Sequence, residues 1–275
     1  MASPFSERLD EALRRRETFL TVGLDPRPSA FPSPFAHQGA AQALEPFLSG
    51  IVEATREHCV AYKMQFASYL TFGEEGIRAL LGLPKQIGPD HLTILDLKAS
   101  DIPSTMELYR EGVFGRFGFD AMTMNPYLGW DSVQAALGPP GRGVFVLLHT
   151  SNPGASDLQE SRTQQGEELW RSLVPRLRTL GGPGGLGAVV GGTYPEALSW
   201  AREALGPGFP LLVPGVGAQG GSLSDAVTRG QGTSGGALLI NSSRGILYAS
   251  SGSDWKEAAG REAERLTREM RALRR

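Results

Sequence analysis

A chain of 275 residues is long enough to form one α/β barrel, so its length does not require a second domain. The net charge of −2 gives no sign of a nucleic-acid surface, and no apolar run approaches the roughly 20 residues that cross a bilayer. A single cysteine, Cys59, rules out an intramolecular disulfide. We therefore expect one cytoplasmic domain over residues 1–275 that binds neither nucleic acid nor a membrane.

Short apolar strands alternate with longer helical segments along the chain. The N-terminal segment lacks the apolar core of a signal peptide and is typical of a charged helix. Several strands are apolar without strict alternation, as expected for parallel strands buried on both faces. In chain order, the predicted strands are residues 19–24, 61–66, 92–97, 121–125, 144–149, 186–190, 210–214 and 237–241. The predicted helices include residues 40–58, 104–117, 166–180, 194–205 and an amphipathic terminal helix over 254–275.

This alternation predicts an α/β fold, a single (β/α)8 TIM barrel with an extra N-terminal helix. A doubly wound open sheet is the competing architecture. Two connections exceed a minimal loop, namely 151–165 after the fifth strand and 215–236 after the seventh, the latter with a short helix at 222–229. Long loops in a compact domain often act as lids or binding loops, so both are candidate parts of a site.

Four charged residues come from two neighbouring predicted strands. Residues i and i+2 of a strand point to the same side, so Asp96 and Lys98 should both project inward at the C-terminal end of the third strand. Asp101 follows three residues later. Lys63 lies among apolar residues of the second strand, where a lysine must be paired or line a polar cavity. The set is either a structural ion-pair cluster or a catalytic group, and the scarcity of lysine, four of 27 basic residues, favours catalysis.

The chemistry that suits these charges is decarboxylation. A lysine between carboxylates stays protonated and can act as a general acid. A fixed carboxylate beside an anionic substrate group repels that group in the ground state. The repulsion falls once the charge has moved or left. Loss of carbon dioxide followed by protonation of the carbanion fits this arrangement. The four histidines show no ligand spacing, so we predict no metal site.

A glycine-rich segment, residues 215–221, follows the seventh strand. Its match to G-x-G-x-x-G is weak as a dinucleotide fingerprint, because no acidic residue follows at the required distance. Glycines still expose backbone N–H groups to an anion. Barrel phosphate sites are often built from the loops after strands seven and eight, so Gln219 and Arg244 should converge on one phosphate. The alternative is two ordinary glycine turns and a surface arginine.

The run of residues 96–102, Asp-Leu-Lys-Ala-Ser-Asp-Ile, with Thr105 after it resembles the D-x-K-x-x-D-I…T signature of orotidine 5′-phosphate decarboxylases. Segments at 23–26, 62–63, 150–154, 214–221 and 243–244 agree in the same order, so the resemblance covers nearly the whole barrel. The Thr-Ser-Asn-Pro-Gly run at 150–154, together with Gln65, is similar to the longer bacterial subgroup. The resemblance implies conversion of orotidine 5′-monophosphate to UMP and carbon dioxide in de novo pyrimidine biosynthesis, without a cofactor.

The same resemblance implies catalytic roles and a shared site. Lys98 would protonate C6 of the pyrimidine, and Asp96 would face the departing carboxylate. Lys63 and Asp101 would complete the charged chain. Asp101 and Thr105 would reach into the site of a partner subunit, which implies a homodimer.

Substrate-binding roles follow from the resemblance as well. Asp25 and Lys63 would bind ribose hydroxyls, and Ser151 would contact the pyrimidine. The phosphate would be held by Gln219, Ser243 and Arg244. Two features depart from the usual pattern: Pro103, which suits the first turn of a helix, and a proline-rich insert at 26–34 to which we assign no role.

Two alternatives remain at this point. One is a metal-dependent sugar-phosphate decarboxylase or aldolase of the same barrel group, which Lys63 disfavours because its charge would repel a metal ion. The residues at 151–154 also suit a pyrimidine better. The other is a non-catalytic barrel that binds a phosphate ligand, which would need the anion site but not the four charges.

Overall fold

The computed structural model describes residues 4–181, 185–217, 220–232 and 236–274, and its sheet is a closed parallel barrel. The last strand pairs with the first, with Thr21 opposite Asn241, so the sheet has no open edge. This closure confirms the (β/α)8 prediction and excludes the doubly wound open sheet. The strands are β1 Leu20–Gly23, β2 Ala61–Gln65, β3 Leu92–Ala99, β4 Ala121–Met124, β5 Gly143–His149, β6 Leu186–Val190, β7 Leu211–Val213 and β8 Leu238–Ser242.

Helices follow the strands around the outside of the barrel. They are α1 Phe5–Arg16, α2 Ala40–Thr55, α3 Phe66–Leu70, α4 Gly73–Ile87, α5 Pro103–Arg110, α6 Trp130–Ala136, α7 Ala155–Leu158, α8 Leu169–Ser172, α9 Val174–Gly181, α10 Pro195–Leu205, α11 Leu223–Gln231, α12 Arg244–Leu247 and α13 Trp255–Leu273. Short 3-10 turns occupy Ser33–Phe35, Arg56–His58 and Pro126–Leu128, and Glu111–Arg116 is a π-helical turn. Within the described ranges, no helix has the length and apolar character needed to span a membrane.

Two helical segments differ from the sequence prediction. The segment predicted at 166–180 splits into α8 and α9, because Pro175 lacks an N–H and its ring displaces the carbonyl of Arg171, which ends α8. The segment predicted at 104–117 begins at Pro103, in the first helical turn as expected, and loosens into the π-helical turn. The sequence pattern does not predict α3 and α4, because α3 has only five residues and Gly76, Gly82 and Pro84 weaken the helical pattern of α4.

The extra N-terminal helix closes the bottom of the barrel. Phe5 is buried and meets Phe145 of β5 edge to face, with ring centroids 5.9 Å apart. A Cβ at Gly143 would come 2.7 Å from the Phe5 ring, so glycine allows this close packing. Arg8 bonds the carbonyl of Gly141 and forms an ion pair with Asp120, both at the N-terminal ends of strands. The opposite end of the barrel is therefore the open one.

The proline-rich insert at 26–34 packs against the outer helices. Phe31 lies 5.3 Å from Phe47 of α2, and Phe35, just after the insert, lies 5.4 Å from Trp255 of α13, measured between ring centroids. The backbone N–H of Ser33 donates to the carbonyl of Ser251. The insert therefore continues the aromatic core between α2 and α13.

Candidate active site

A cavity of about 520 Å³ opens at the C-terminal ends of the strands, opposite α1. Its walls come from nearly every part of the barrel. Seven of the ten site residues predicted from the sequence line it: Asp25, Lys63, Asp96, Lys98, Ser151, Ser243 and Arg244. Gln219 lies outside the described residues. The other two, Asp101 and Thr105, lie elsewhere on the chain's surface.

The centre of the cavity is an ionic array in which Asp96 contacts two lysines. Lys63 Nζ lies 3.0 Å from Asp96 Oδ2, and Lys98 Nζ lies 2.6 Å from Oδ1. Lys63 also lies 3.9 Å from Oδ1 of Asp25. Asp96 and Lys63 are buried, whereas the side chain of Lys98 is 43% exposed and faces the cavity. Each oxygen of Asp96 therefore has its own ammonium partner, one fixed in the wall and one within reach of a ligand.

The array holds its members in their charged forms. Burial alone would raise the pKa of Asp96, but the ammonium groups of Lys63 and Lys98 outweigh it and lower that pKa well below its usual range. Burial alone would lower the pKa of Lys63, but the carboxylates of Asp25 and Asp96 outweigh it and raise that pKa. A carboxylate and an ammonium thus persist in a buried site at neutral pH.

The backbone at Lys98 departs from a regular strand. Its φ of 50° lies in the left-handed region, which costs a non-glycine residue roughly 1–3 kcal/mol. The register with β4 shifts there: Leu95 pairs with Met122, yet Ala99 pairs with Met124. An advance of four residues along β3 therefore pairs with an advance of two residues along β4, so β3 contains a β-bulge. Asp96 and Lys98 do converge as predicted, but an irregular strand end rather than plain alternation brings them together.

Thr123 of β4 supports this bulge and was not identified from the sequence. Its hydroxyl donates to Asp96 Oδ1 at 2.8 Å and accepts from the backbone N–H of Lys98 at 3.0 Å. Gln65 Nε2 adds a bond to Asp96 Oδ2 at 3.3 Å. The sequence signal for Thr123 is a polar residue in the otherwise apolar run Ala-Met-Thr-Met.

A second group of polar residues joins β1, β2 and β8. Asp25 Oδ1 accepts from the backbone N–H of Gln65 at 2.9 Å, and Oδ2 accepts from the Ser243 hydroxyl at 2.6 Å. Asn241 Nδ2 donates to the same hydroxyl at 3.1 Å. A Cβ at Gly23 would overlap the Ser243 hydroxyl, so only glycine permits this approach. The arrangement fixes a carboxylate beside Lys63 and connects it to the β8 end of the cavity.

The β7–β8 side of the cavity suits an anion. Gly215 lines it with a φ of 91°, and Arg244 lines it at the start of α12. Arg27, from the proline-rich insert, also lines the cavity, and its backbone N–H is fixed by the Tyr248 hydroxyl at 2.8 Å. Two arginines and a glycine turn thus border one end of the cavity. Arg27 could not be assigned a role from the sequence, because nothing in the insert's pattern indicates which side chain turns inward.

Asp101 and Thr105 lie apart from the ionic array within one chain. Asp101 Oδ1 accepts from the backbone N–H of Ile102 at 2.8 Å, just before α5. Thr105 lines a separate apolar groove of about 310 Å³ together with Leu97, Leu108 and other side chains. Ile102 and Leu108 are strongly exposed beside it. The structure of a single chain therefore does not bring these two predicted residues to the cavity.

Comparisons with known proteins agree with this geometry. The model of the orotidine 5′-phosphate decarboxylase / HUMPS family matches residues 18–259. A Bordetella petrii protein named orotidine 5′-phosphate decarboxylase is 40% identical over 264 residues, 95% of this chain and 96% of that protein. A Thermomicrobium roseum protein of the same name is 40% identical over 265 residues, 95% of this chain and 93% of that one. The solved Leishmania donovani OMP decarboxylase has a TM-score of 0.82 and 32% identity, covering 98% of this chain and 99% of that one.

Proposed function

The chain belongs to the orotidine 5′-phosphate decarboxylase / HUMPS family, and we propose that it converts orotidine 5′-monophosphate to UMP and carbon dioxide without a cofactor. The observation that carries the proposal is Asp96 held between two lysines in a cavity that Arg27 and Arg244 also line. Such an enzyme is a carboxy-lyase of pyrimidine biosynthesis.

Asp96, Lys98 and Lys63 have different roles in the reaction. With the pyrimidine carboxylate placed against Asp96, the two negative charges repel in the ground state, and the repulsion falls as carbon dioxide leaves. The C6–carboxylate bond breaks with its electron pair left on C6. Lys98, whose ammonium faces the cavity, then donates a proton from Nζ to C6. Lys63 keeps Asp96 ionised and in place throughout.

The rest of the cavity binds the nucleotide. We assign the ribose hydroxyls to Asp25 and Lys63, which lie together at the β1–β2 end of the cavity. Ser151, after β5, is assigned to the pyrimidine. The phosphate is assigned to Ser243 and Arg244 together with Gln219, which lies outside the described residues.

We also propose a cytoplasmic homodimer in which each chain, one domain over residues 1–275, completes its partner's site. Asp101 and Thr105 would then serve the neighbouring cavity rather than their own. This is supported by the position of Thr105 in the apolar groove and by the exposed Ile102 and Leu108, which need a covering surface.

The metal-dependent sugar-phosphate alternative is not favoured. Lys63 places a buried cation next to Asp25 and Asp96, the carboxylates that a metal would need. In the described part of the chain, no group of three or more histidine, cysteine or acidic side chains is arranged to hold a metal ion. A non-catalytic phosphate-binding barrel would have no use for the ionic array. The relatives named orotidine 5′-phosphate decarboxylase also favour the first proposal.

The test is to follow the loss of orotidine 5′-monophosphate by ultraviolet absorbance, with and without a chelator. We expect turnover at an unchanged rate when the chelator is present. Turnover that stops on chelation and returns with a divalent cation would support the metal-dependent alternative. Binding of UMP without any turnover would support the non-catalytic one.

A further inference from the structure

Gln159 lies behind the wall of the active-site cavity rather than in it. Thr150, Ser151 and Asn152 follow β5 and line the cavity. Gln159 comes after α7, in the same long connection, and lines a separate pocket of about 290 Å³ beside Trp170. Its side chain nevertheless turns back toward the cavity-lining segment, which we call the 150–152 segment.

The amide of Gln159 bonds Thr150 at two points. Its Oε1 accepts from the backbone N–H of Thr150 at 2.8 Å, and its Nε2 donates to the Thr150 hydroxyl at 2.8 Å. The hydroxyl then donates its own proton to Asn152 Oδ1 at 2.7 Å. Because the amide occupies a lone pair of the hydroxyl, the hydroxyl proton is directed onward to Asn152. One residue outside the cavity thereby orients two residues that line it.

The backbone of Gln159 is itself held in place by hydrogen bonds. Its carbonyl accepts from the backbone N–H of Trp170 at 3.0 Å, and its own N–H donates to Ala155 at 2.9 Å. The next residue, Glu160, contacts Nε2 of His149 at 3.0 Å. His149 is buried and packs edge-on to Trp170, with ring centroids 5.3 Å apart. The hydrogen-bond relay therefore starts from a point anchored to the end of β5.

The other side of the 150–152 segment contacts the loop that follows β6. The Thr193 hydroxyl donates to the carbonyl of Ser151 at 3.1 Å. A Cβ at Gly191 would come 2.7 Å from the backbone of Ser151, so the two backbones are in close contact. The segment is thus held between the loop after β6 and Gln159, and loss of the amide would remove both side-chain bonds that Gln159 makes to Thr150.

We propose that Gln159 is a positioning residue that holds the 150–152 segment against the pyrimidine ring and so controls recognition of the base. The inference rests on the proposed function. In the described part of the chain, Gln159 forms hydrogen bonds with Thr150, Ala155 and Trp170, and none of these lies on the phosphate side of the cavity. Its effect should therefore be confined to the base end of the substrate.

The test compares Gln159→Leu, Gln159→Glu and a matched control, Gln164→Leu, which makes the same change at an exposed position of the same connection. Each variant is assayed for kcat and KM with orotidine 5′-monophosphate and for the affinities of UMP and ribose 5-phosphate. For Gln159→Leu we expect kcat/KM and UMP affinity to fall by about tenfold to a hundredfold, as misplaced contacts do. Ribose 5-phosphate, which lacks the base, should bind unchanged.

Gln159→Glu keeps an oxygen for the Thr150 N–H but loses the amide donor, so we expect an intermediate loss and a folded protein. Equal weakening of UMP and ribose 5-phosphate in the Gln159 variants, or values equal to those of Gln164→Leu, would overturn the inference. A wild-type protein that neither turns over orotidine 5′-monophosphate nor binds UMP would instead defeat the proposed function, before any variant is compared.

Discussion

Lys98 Nζ lies 2.6 Å from Oδ1 of Asp96, two residues earlier on β3, although the backbone of Lys98 has left the strand conformation. The bulge lets a half-exposed ammonium share a buried carboxylate with Lys63, which occupies the other oxygen. One carboxylate thus holds a buried cation in the wall and a partly exposed one facing the cavity. This difference in exposure lets Lys98 act as a proton donor, while Lys63 forms a structural ion pair.

The first prediction concerns Lys98. Lys98→Ala should abolish decarboxylation, because the other ammonium beside Asp96, that of Lys63, is buried in the cavity wall, while binding of UMP should remain largely in place. Turnover is measured by absorbance and binding by calorimetry. Lys85→Ala, at an exposed position of α4, is the control and should behave as wild type. Substantial residual turnover in Lys98→Ala would exclude Lys98 as the proton donor.

Much of the barrel could be predicted from the sequence because buried parallel strands are uniformly apolar. β6 coincides with its predicted range, and the short helix predicted at 222–229 is α11. The third strand runs two residues beyond its predicted end, since the bulge at Lys98 carries pairing on to Ala99. A bulge depends on register with the neighbouring strand, which hydrophobic periodicity along one strand does not report.

The same limit applies to the candidate site. Asp96, Lys98 and Lys63 stand out because charges are costly in an apolar strand. Thr123 and Gln159 do not stand out, because their importance lies in hydrogen bonds to residues on other strands or across a long loop. Such contacts are fixed only when the chain has folded.

The second prediction concerns the anion-binding end. Arg244→Ala should lower kcat/KM for orotidine 5′-monophosphate by about tenfold or more, because a charge-assisted hydrogen bond to phosphate is lost. The same variant should bind uridine, which has no phosphate, as the wild type does. Arg176→Ala, an exposed arginine on α9, is the matched control. An unchanged kcat/KM in Arg244→Ala would remove that residue from the phosphate site.

The third prediction concerns stability at the closed end of the barrel. Arg202 of α10 is buried, and burial lowers its pKa to about 10. Its guanidinium donates to five backbone carbonyls where the chain enters β7 and β8: those of Gly206, Pro207, Phe209, Gly230 and Ala237. Arg202→Met should lower the free energy of unfolding by about 3 kcal/mol or more, because several buried acceptors lose their donor.

Urea denaturation measures this loss, with Arg176→Met as the exposed control. The kcat/KM of the folded Arg202→Met protein should match the wild type, since Arg202 lies at the end of the barrel opposite the cavity. A loss of activity larger than the unfolded fraction accounts for would contradict a purely structural role for Arg202.

The last prediction concerns pH. The lysines outweigh burial and depress the pKa of Asp96 in the folded protein below its ordinary value of 3.8. The ionised carboxylate therefore stabilises the fold fully above pH 3.8, and this contribution is lost as the pH falls toward the folded pKa. In that window the unfolded chain binds one more proton, so Asp96 makes stability fall by up to about 1.4 kcal/mol per pH unit.

Asp96→Asn should be less stable at neutral pH, because Lys63 loses its nearest partner, yet its stability should depend less on pH in acid. Urea unfolding from about pH 7 to about pH 2 measures both effects. Glu75→Gln, at an exposed position, should keep the wild-type slope, and an equal slope in Asp96→Asn would show that Asp96 is not held ionised by the lysines.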